Sequence, residues 1–163
     1  MTAERPFAVI EVDGVIVLDD PVVPCTHTVV HAAGNKWARP VNIPVGADLV
    51  VAKLATRFDI VWASAWSHNA HFALQEILGL PESPWPFLPV QFHKLPAIRA
   101  YANGRPWVWI DDSVHDLRRV DEPGDGLLVR VDPQQGITAV DPEFLYGQLM
   151  RKVFGSAESR SLA

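Results

Sequence analysis

The chain alternates between short apolar runs and segments whose apolar residues recur at helical spacing. The apolar runs are almost continuous in Val, Ile, Leu and Trp, which is typical of strands that are buried on both faces. Five of them are predicted strands, at residues 7–12, 60–64, 88–92, 107–111 and 127–131. Strands that alternate with helices favour a Rossmann-like α/β fold. We therefore expect a five-stranded parallel sheet flanked by helices, with a ligand site beyond the carboxyl ends of the strands.

The last predicted helix begins at Asp141-Pro142-Glu143. An N-cap acid, a proline at the first helical position and an early acidic residue all agree on this start. The helix should run to about residue 154. Residues 1–154 are then predicted to form a single domain, and the small, polar residues 155–163 a flexible tail.

A longer interval, residues 18–44, separates the first strand from the first helix. It contains two β-prone stretches, CTHTVVHA and KWARPV, on either side of Ala33-Gly34-Asn35. Two such stretches around a glycine-containing turn predict a β-hairpin. We expect this hairpin to form a flap over the strand ends.

Composition narrows the function classes. The 163 residues carry 14 basic and 19 acidic side chains, a net charge of −5, which argues against a broad surface for nucleic acid or anionic membranes. The single cysteine, Cys25, cannot form an intramolecular disulfide and has no motif that would make it a nucleophile. No signal peptide or membrane-spanning run is evident. The sequence thus predicts a soluble, unprocessed, cytoplasmic protein that does not enter membranes.

Polar residues follow four of the predicted strands, where the ends of parallel strands should meet. They are Glu11 and Asp13 after the first strand, Ser64 after the second, Lys94 after the third, and Asp111 and Asp112 after the fourth. Gly14 permits a sharp exit from the first strand. Several carboxylates around one point suit Mg2+, and a lysine and a hydroxyl suit the oxygens of a phosphoryl group.

The order acid-x-Asp-Gly-Val, Ser, Lys and Asp-Asp, each after an apolar strand, resembles the four-motif signature of the haloacid dehalogenase-like (HAD) superfamily. The resemblance covers roughly residues 7–131. The segment VWASAWSHNA is also similar to the second-motif region of small HAD domains found alone in bacteria or fused within RNA-repair proteins. The resemblance implies a Mg2+-dependent phosphomonoester hydrolase. The short intervals between the motifs imply a form without a cap domain.

The resemblance also implies a role for each motif residue. Glu11 occupies the position of the nucleophile and would also ligate Mg2+, and Asp13 would act as general acid and base while its carbonyl oxygen binds the metal. Asp111 or Asp112 would complete the metal site. Ser64 and Lys94 would hold the phosphoryl oxygens and so take part in catalysis as well as substrate binding, and Gly14 would also bind the substrate. Apart from the resemblance, His68 is a candidate substrate contact because it is expected near the rim of the site. The family has aspartate at position 11, and the extra methylene of Glu11 moves the attacking oxygen by more than about 1 Å, enough to impair in-line attack.

Other interpretations remain open at this stage. Two alternatives to the hydrolase are an HAD-fold module that binds a phosphorylated ligand or partner without catalysis, and a phosphatase of nucleic-acid ends. Asp111 and Asp112 could instead cap a helix near Ser113, and Asp116 matches an alternative form of the fourth motif. Two histidine pairs, His27 with His31 and His68 with His71, suggest zinc only weakly, since no cysteines accompany them. The tryptophans are interpreted as core and rim packing, with Trp37 as a candidate ligand contact.

Overall fold

The computed structural model describes residues 4–34, 36–90, 92–113 and 124–155. Within these residues the chain forms six strands and four α-helices. In chain order they are β1 (Phe7–Ile10), β2 (Cys25–Ala32), β3 (Trp37–Pro44), α1 (Ala47–Arg57), β4 (Asp59–Trp62), α2 (Asn69–Leu78), α3 (Lys94–Ala102), β5 (Trp107–Asp111), β6 (Gly126–Arg130) and α4 (Pro142–Met150).

Four of the strands form one fully parallel sheet in the order β4-β1-β5-β6. The sequence of β1 is FAVI, and all four residues are buried because a strand lies on each side of it. In this register Ile10 pairs with Trp62 of β4 and with Ile110 of β5. The carboxyl ends of three neighbouring strands therefore lie side by side at one edge of the sheet.

Successive residues of the strands face opposite sides of the sheet and divide the core into two clusters. On one side, Ala8 and Ile10 pack in a large cluster with the buried faces of α1, α2, α4 and the hairpin. On the other side, Phe7 and Val9 pack with Leu95 and Ile98 of α3. Helices cover both faces, which confirms the α/β, Rossmann-like class.

The hairpin predicted between the first strand and the first helix is present. Strands β2 and β3 pair antiparallel from Cys25↔Pro44 to Ala32↔Trp37. Its inner face buries Val30 and Ile43 against the larger cluster. The predicted turn residue Asn35 lies outside the described residues.

The third of the five predicted strands, residues 88–92, is not a strand in the described part of the chain. Just before and at the start of this segment, the described backbone forms one isolated bridge to the sheet, between Phe87 and Trp62 of β4. In this bridge the Trp62 N–H donates to the Pro86 carbonyl at 2.9 Å, and the Leu88 N–H donates to the Trp62 carbonyl at 2.7 Å. Prolines lack the N–H group that a ladder needs, and four occur nearby, at positions 81, 84, 86 and 89. The described sheet therefore has four strands rather than five.

Several predicted boundaries also shift. Strands β1 and β4 end two residues earlier than predicted, at Ile10 and Trp62, so Glu11 and Ser64 lie just beyond the sheet. Helix α4 begins as predicted, because the Asp141 carboxylate accepts hydrogen bonds from the N–H groups of Glu143 and Phe144. It ends at Met150, where a π-helical turn, Arg151–Gly155, replaces the predicted continuation.

Three other predictions fall on residues that are not described: Asp116, the helix expected after Ser113, and the tail at 156–163. In the described part of the chain, no helix is long and apolar enough to cross a membrane.

Candidate functional site

Lys94 lies at the centre of a group of side chains at the carboxyl edge of the sheet. It is the first residue of α3 and only 7% exposed. Its ammonium group forms an ion pair with Glu11, donates to Asp111 Oδ2 at 2.7 Å and donates to the Ala63 carbonyl at 3.0 Å. All three ammonium protons therefore have an acceptor within the protein. The structure thus joins the ends of β1, β4 and β5 through one side chain.

The opposite charges of this cluster stabilise one another. Burial alone would lower the pKa of Lys94, but the carboxylates of Glu11 and Asp111 outweigh it and hold that pKa above its usual value. Burial would likewise raise the pKa of Asp111, but the hydrogen bond and charge of Lys94 hold it below its usual range. The Trp109 indole also donates to Asp111 Oδ2 at 3.0 Å. Lys94 and Asp111 are therefore both charged at neutral pH.

Both carboxylate oxygens of Glu11 are engaged. Oε1 accepts a hydrogen bond from the Val12 N–H at 2.8 Å, and Oε2 receives the Lys94 ammonium. The side chain is 12% exposed, so it lies at the boundary between the core and the solvent. Each oxygen has one protein partner in these contacts, and a carboxylate oxygen can accept more than one, so Glu11 can still meet a ligand from the solvent side.

Gly14 brings the first and fourth motifs into direct contact. Its φ of +81° is a conformation that favours glycine, and a Cβ atom added to it would lie 2.5 Å from Asp112 Oδ2. No side chain fits in that space. The glycine therefore lets the Asp112 carboxyl approach the backbone of the loop that carries Glu11 and Asp13.

The carboxyls of Asp111 and Asp112 are unequal. Partial burial is the main reason why the pKa of Asp112 rises to about 6, and a hydrogen bond to Asp111 together with its negative charge adds to the effect. Two neighbouring acids cannot both ionise freely, and here Lys94 stabilises the charge on Asp111. Asp112 therefore holds its proton to a higher pH than an ordinary aspartate and loses it as the pH rises through about 6.

This inequality predicts how the Asp112→Asn variant behaves without metal. In the folded protein the pKa of Asp112 is about 6, above its unfolded value of about 3.9. Asp112 therefore stabilises the fold fully below about pH 3.9, and this stabilisation is lost as the pH rises through about 6. The amide of the variant mimics the protonated acid. In chelator at about pH 7.5, the free energy of unfolding should therefore be higher in the variant than in the parent, on the order of 1–2 kcal/mol once solvent screening is allowed for. The advantage should vanish at about pH 4.

Urea unfolding at both pH values measures this difference. Addition of Mg2+ at neutral pH should stabilise the parent more than the variant, because Asp112 is a predicted ligand. An advantage of equal size at both pH values would show that ionisation of Asp112 is not its cause.

Asp13 is exposed at the surface and takes no part in the described hydrogen bonds of Lys94. Its two carboxylate oxygens share one donor, the Trp66 indole N–H, at 3.2 and 3.1 Å. Partial desolvation raises the pKa of Asp13, and the hydrogen bond from Trp66 offsets part of this rise. The two acids of the first motif thus have different surroundings: Glu11 is 12% exposed and pairs with Lys94, whereas Asp13 is exposed and hydrogen-bonds to Trp66.

Ser64 and His68 differ in how closely they approach the site. Ser64 is 2% exposed and follows Ala63, whose carbonyl accepts from Lys94. Its hydroxyl oxygen accepts a hydrogen bond from the backbone N–H of Trp66 at 3.1 Å, which leaves the hydroxyl proton available to donate. His68 lies just before α2, with its ring 6.1 Å from that of Phe87. It takes no part in the described hydrogen bonds of Lys94.

Sequence reasoning missed the part played by the tryptophans, which it interpreted as packing residues. Three indole N–H groups donate to carboxylates: Trp66 to Asp13, Trp109 to Asp111, and Trp107 to Asp125 at 3.0 Å. A signal existed for Trp109, since residues two apart on a strand share a face. None existed for Trp66, which lies 53 residues from Asp13.

The histidine pairs have structural partners. Nδ1 of His71 accepts a hydrogen bond from the backbone N–H of Trp85 at 3.2 Å, and its Nε2 lies 2.7 Å from the Pro81 carbonyl oxygen. Both ring nitrogens of His71 are therefore already in use. His27 forms a hydrogen bond with Asn42 across the hairpin. Among residues 4–34, 36–90, 92–113 and 124–155, no group of three or more His, Cys, Asp or Glu is arranged to hold a metal ion.

The donor chemistry at the strand ends nevertheless fits Mg2+. This ion is commonly bound through one or two carboxylates, with water and substrate phosphate supplying the other oxygens. The close approach of Asp112 to Gly14 places such a carboxylate beside the first motif. The Lys94 ammonium, however, occupies the space between Glu11 and Asp111, so these two acids do not form a ready-made pair of metal ligands.

A scan against protein-family models found no match for this chain, and a search of curated proteins found none either.

Proposed function

We propose that this protein is a Mg2+-dependent phosphomonoester hydrolase of the HAD-like kind, with Glu11 at the position of the nucleophile. The observation that carries the proposal is the contact of Lys94 with both Glu11 and Asp111. It brings three of the motifs suggested by the sequence to one point, and Gly14 adds Asp112. Carboxylates beside one buried cation provide both a nucleophile and oxygen ligands.

In the proposed reaction, a carboxylate oxygen of Glu11 attacks phosphorus and the bond from phosphorus to the ester oxygen breaks. Asp13 gives its proton to that leaving oxygen, which gives an acyl phosphate on Glu11 and a free alcohol. Asp13 then accepts a proton from water as the water attacks the acyl phosphate and releases inorganic phosphate. Partial burial raises the pKa of Asp13, which is the direction that a general acid needs.

Lys94 and Ser64 have supporting roles in this proposal. The ammonium of Lys94 would turn from Glu11 toward a phosphoryl oxygen as Glu11 becomes neutral on forming the acyl phosphate. The Ser64 hydroxyl proton would stabilise another phosphoryl oxygen. The substrate would be a phosphorylated small molecule, because a net charge of −5 disfavours extended contact with nucleic acid.

Mg2+ fits the proposal as a cofactor held by Asp112 and the carbonyl of Asp13, with Glu11 as a further ligand. When bound, it would neutralise charge on the phosphoryl oxygens. Asp112 would respond to a cation, because at neutral pH it is mostly ionised in surroundings that disfavour its charge, namely partial burial and the neighbouring Asp111 carboxylate. Asp111 would hold the Lys94 ammonium in place through their hydrogen bond.

A second candidate function follows from the contacts of Glu11. Both of its oxygens and all three protons of Lys94 are already paired. A phosphoryl group that binds the Lys94 ammonium therefore has to displace one of its present acceptors. This observation favours a module that binds a phosphorylated ligand without turning it over.

The variant Glu11→Asp separates the two candidates. Removal of one methylene draws the carboxylate back toward β1 and lengthens its contact with Lys94, which frees an oxygen for attack. If the enzyme proposal is right and the longer acid limits the chemistry, kcat for an aryl phosphate in Mg2+ should rise about tenfold. That increase corresponds to a barrier lower by about 1.4 kcal/mol.

Glu11→Gln is the control, since it keeps the length of the side chain but removes the nucleophile, and it should show no turnover. Thermal melts with Mg2+ and inorganic phosphate measure binding in each variant. Ligand-induced stabilisation without turnover in both the parent and Glu11→Asp would favour the binding module. Rapid turnover by the parent that Glu11→Asp slows would show that the loop already accommodates the longer acid.

A further inference from the structure

A chain of contacts links the hairpin to Asp13. Trp37, the first residue of β3, packs its ring edge-on against that of Trp66, with ring centroids 4.8 Å apart. The Trp66 indole N–H then reaches both carboxylate oxygens of Asp13. Two aromatic rings therefore connect the hairpin to the exposed acid of the first motif.

Trp66 is held from several sides. It is 4% exposed, and its backbone N–H donates to the Ser64 hydroxyl oxygen at 3.1 Å. An indole N–H is a donor only, so its direction fixes where an acceptor can lie. A buried ring that cannot turn therefore acts as a fixed point for whatever accepts its hydrogen bond.

Asp13, in contrast, has little else in the described structure to fix its side chain. It is exposed, and both of its side-chain hydrogen bonds within the described residues come from Trp66. A general acid must hold its proton within hydrogen-bond reach of the leaving oxygen. Without the indole, an exposed carboxyl would sample several rotamers and spend less time in a productive one.

The hairpin supplies the brace for this arrangement. Trp37 pairs with Ala32, a buried residue of β2, so its position is set by the register of the hairpin. The guanidinium of Arg39 lies 5.5 Å from the centroid of the Trp37 ring. An edge-to-face aromatic contact has a preferred geometry and resists rotation of either ring.

We propose that Trp66 is a positioning residue that holds the Asp13 carboxyl in its working orientation, and that Trp37 makes the hairpin part of this device. The inference rests on the proposed function for its kinetic consequence. Its geometric content, an indole that orients Asp13, can be tested without turnover.

Nuclear magnetic resonance gives that test. The six tryptophans of the uniformly 15N-labelled protein give separate indole signals, and Trp66→Phe identifies the one that belongs to Trp66. Asp13→Asn replaces a charged acceptor by a neutral one, so it should move this signal upfield. Trp37→Ala should also move or broaden it. A Trp66 signal that stays in place in Asp13→Asn would overturn the inference, whether or not the protein is an enzyme.

Kinetics test the consequence. Trp66→Phe keeps an aromatic ring but removes the N–H, so kcat should fall on the order of tenfold to a hundredfold while KM stays nearly constant. Trp37→Phe should retain most of the activity and Trp37→Ala should not. Trp85→Phe, at the aromatic contact with Trp62, is the matched control and should match the parent.

An active Trp66→Phe with an unchanged kcat would overturn the positioning role. So would an equal loss in Trp85→Phe, which would indicate a general effect of losing a tryptophan. If the parent has no turnover at all, the proposed function fails, and the indole signal alone decides whether Trp66 orients Asp13.

Discussion

Replacement of Lys94 by methionine should lower the free energy of unfolding by about 3–5 kcal/mol, the largest effect on stability that we expect from a single change at the site. Methionine fills a similar volume, so the loss comes from charge rather than from a cavity. Without the ammonium, Glu11 and Asp111 would keep buried negative charges with no cation between them. Urea unfolding at neutral pH measures the loss.

The pH dependence of this loss follows from the pKa of Asp111, which Lys94 holds below its usual range. A lowered pKa gives stability that is present above the unfolded value of about 3.9 and is lost as the pH falls through the folded value. The raised pKa of Lys94 gives stability that is present below about 10.4 and is lost at higher pH. The gap between parent and variant should therefore be widest between these values and shrink in acid.

An exposed ion pair provides the matched control. Arg57 and Glu143 lie 3.2 Å apart, but their side chains are 48% and 61% exposed. Arg57→Met should cost less than about 1 kcal/mol, because solvent already screens such a pair. If Lys94→Met costs no more than Arg57→Met, the Lys94 cluster is not the buried, mutually dependent charge group described here. The triple variant Lys94→Met, Glu11→Gln, Asp111→Asn should regain much of the loss.

Asp13→Asn should reduce kcat in Mg2+ by roughly 10²- to 10⁴-fold, the usual contribution of a general acid and base. The amide oxygen of the substituted side chain can still accept from the Trp66 indole, so the local structure should survive. The loss should be greater for an alkyl phosphate than for an aryl phosphate with a good leaving group, because the alkyl oxygen needs protonation more. Steady-state assays with both substrates measure the difference.

Asp20→Asn is the control for this variant, since it removes an exposed carboxylate from the same loop. It should leave kcat close to the parent value. An equal loss in both variants would indicate that net negative charge, not proton transfer, is what matters. Full activity in Asp13→Asn would remove Asp13 from the mechanism.

The sequence predicted which polar residues lie at the carboxyl edge of the sheet better than it predicted the strands themselves. Buried strands need continuous apolar residues, so β1 and β5 were recognisable, and the polar residues after them fell at the same edge. The third predicted strand was wrong, yet Lys94 still reached the site. One bridge at Phe87 returns the chain to the sheet, and His93, with a left-handed φ of 55°, leads into α3.

The details of the site could not be predicted because they depend on contacts between distant residues. No local pattern shows that Gly14 faces the Asp112 carboxyl or that Trp66 donates to Asp13. The same limit applies to the charges, since the position of Asp111 beside Lys94 exists only after folding. The HAD resemblance and the roles it implies remain predictions.

Lys94 also has a mechanical consequence, because it is the residue where α3 begins. Within the described residues, α3 is the α-helix that covers its face of the sheet, and its first side chain is tied to the ends of β1 and β5. Any ligand that draws the ammonium away from Glu11 weakens the attachment of the start of α3 to the end of β1. Occupancy of the site and the local opening of α3 are therefore linked equilibria, so the two cannot be tuned independently.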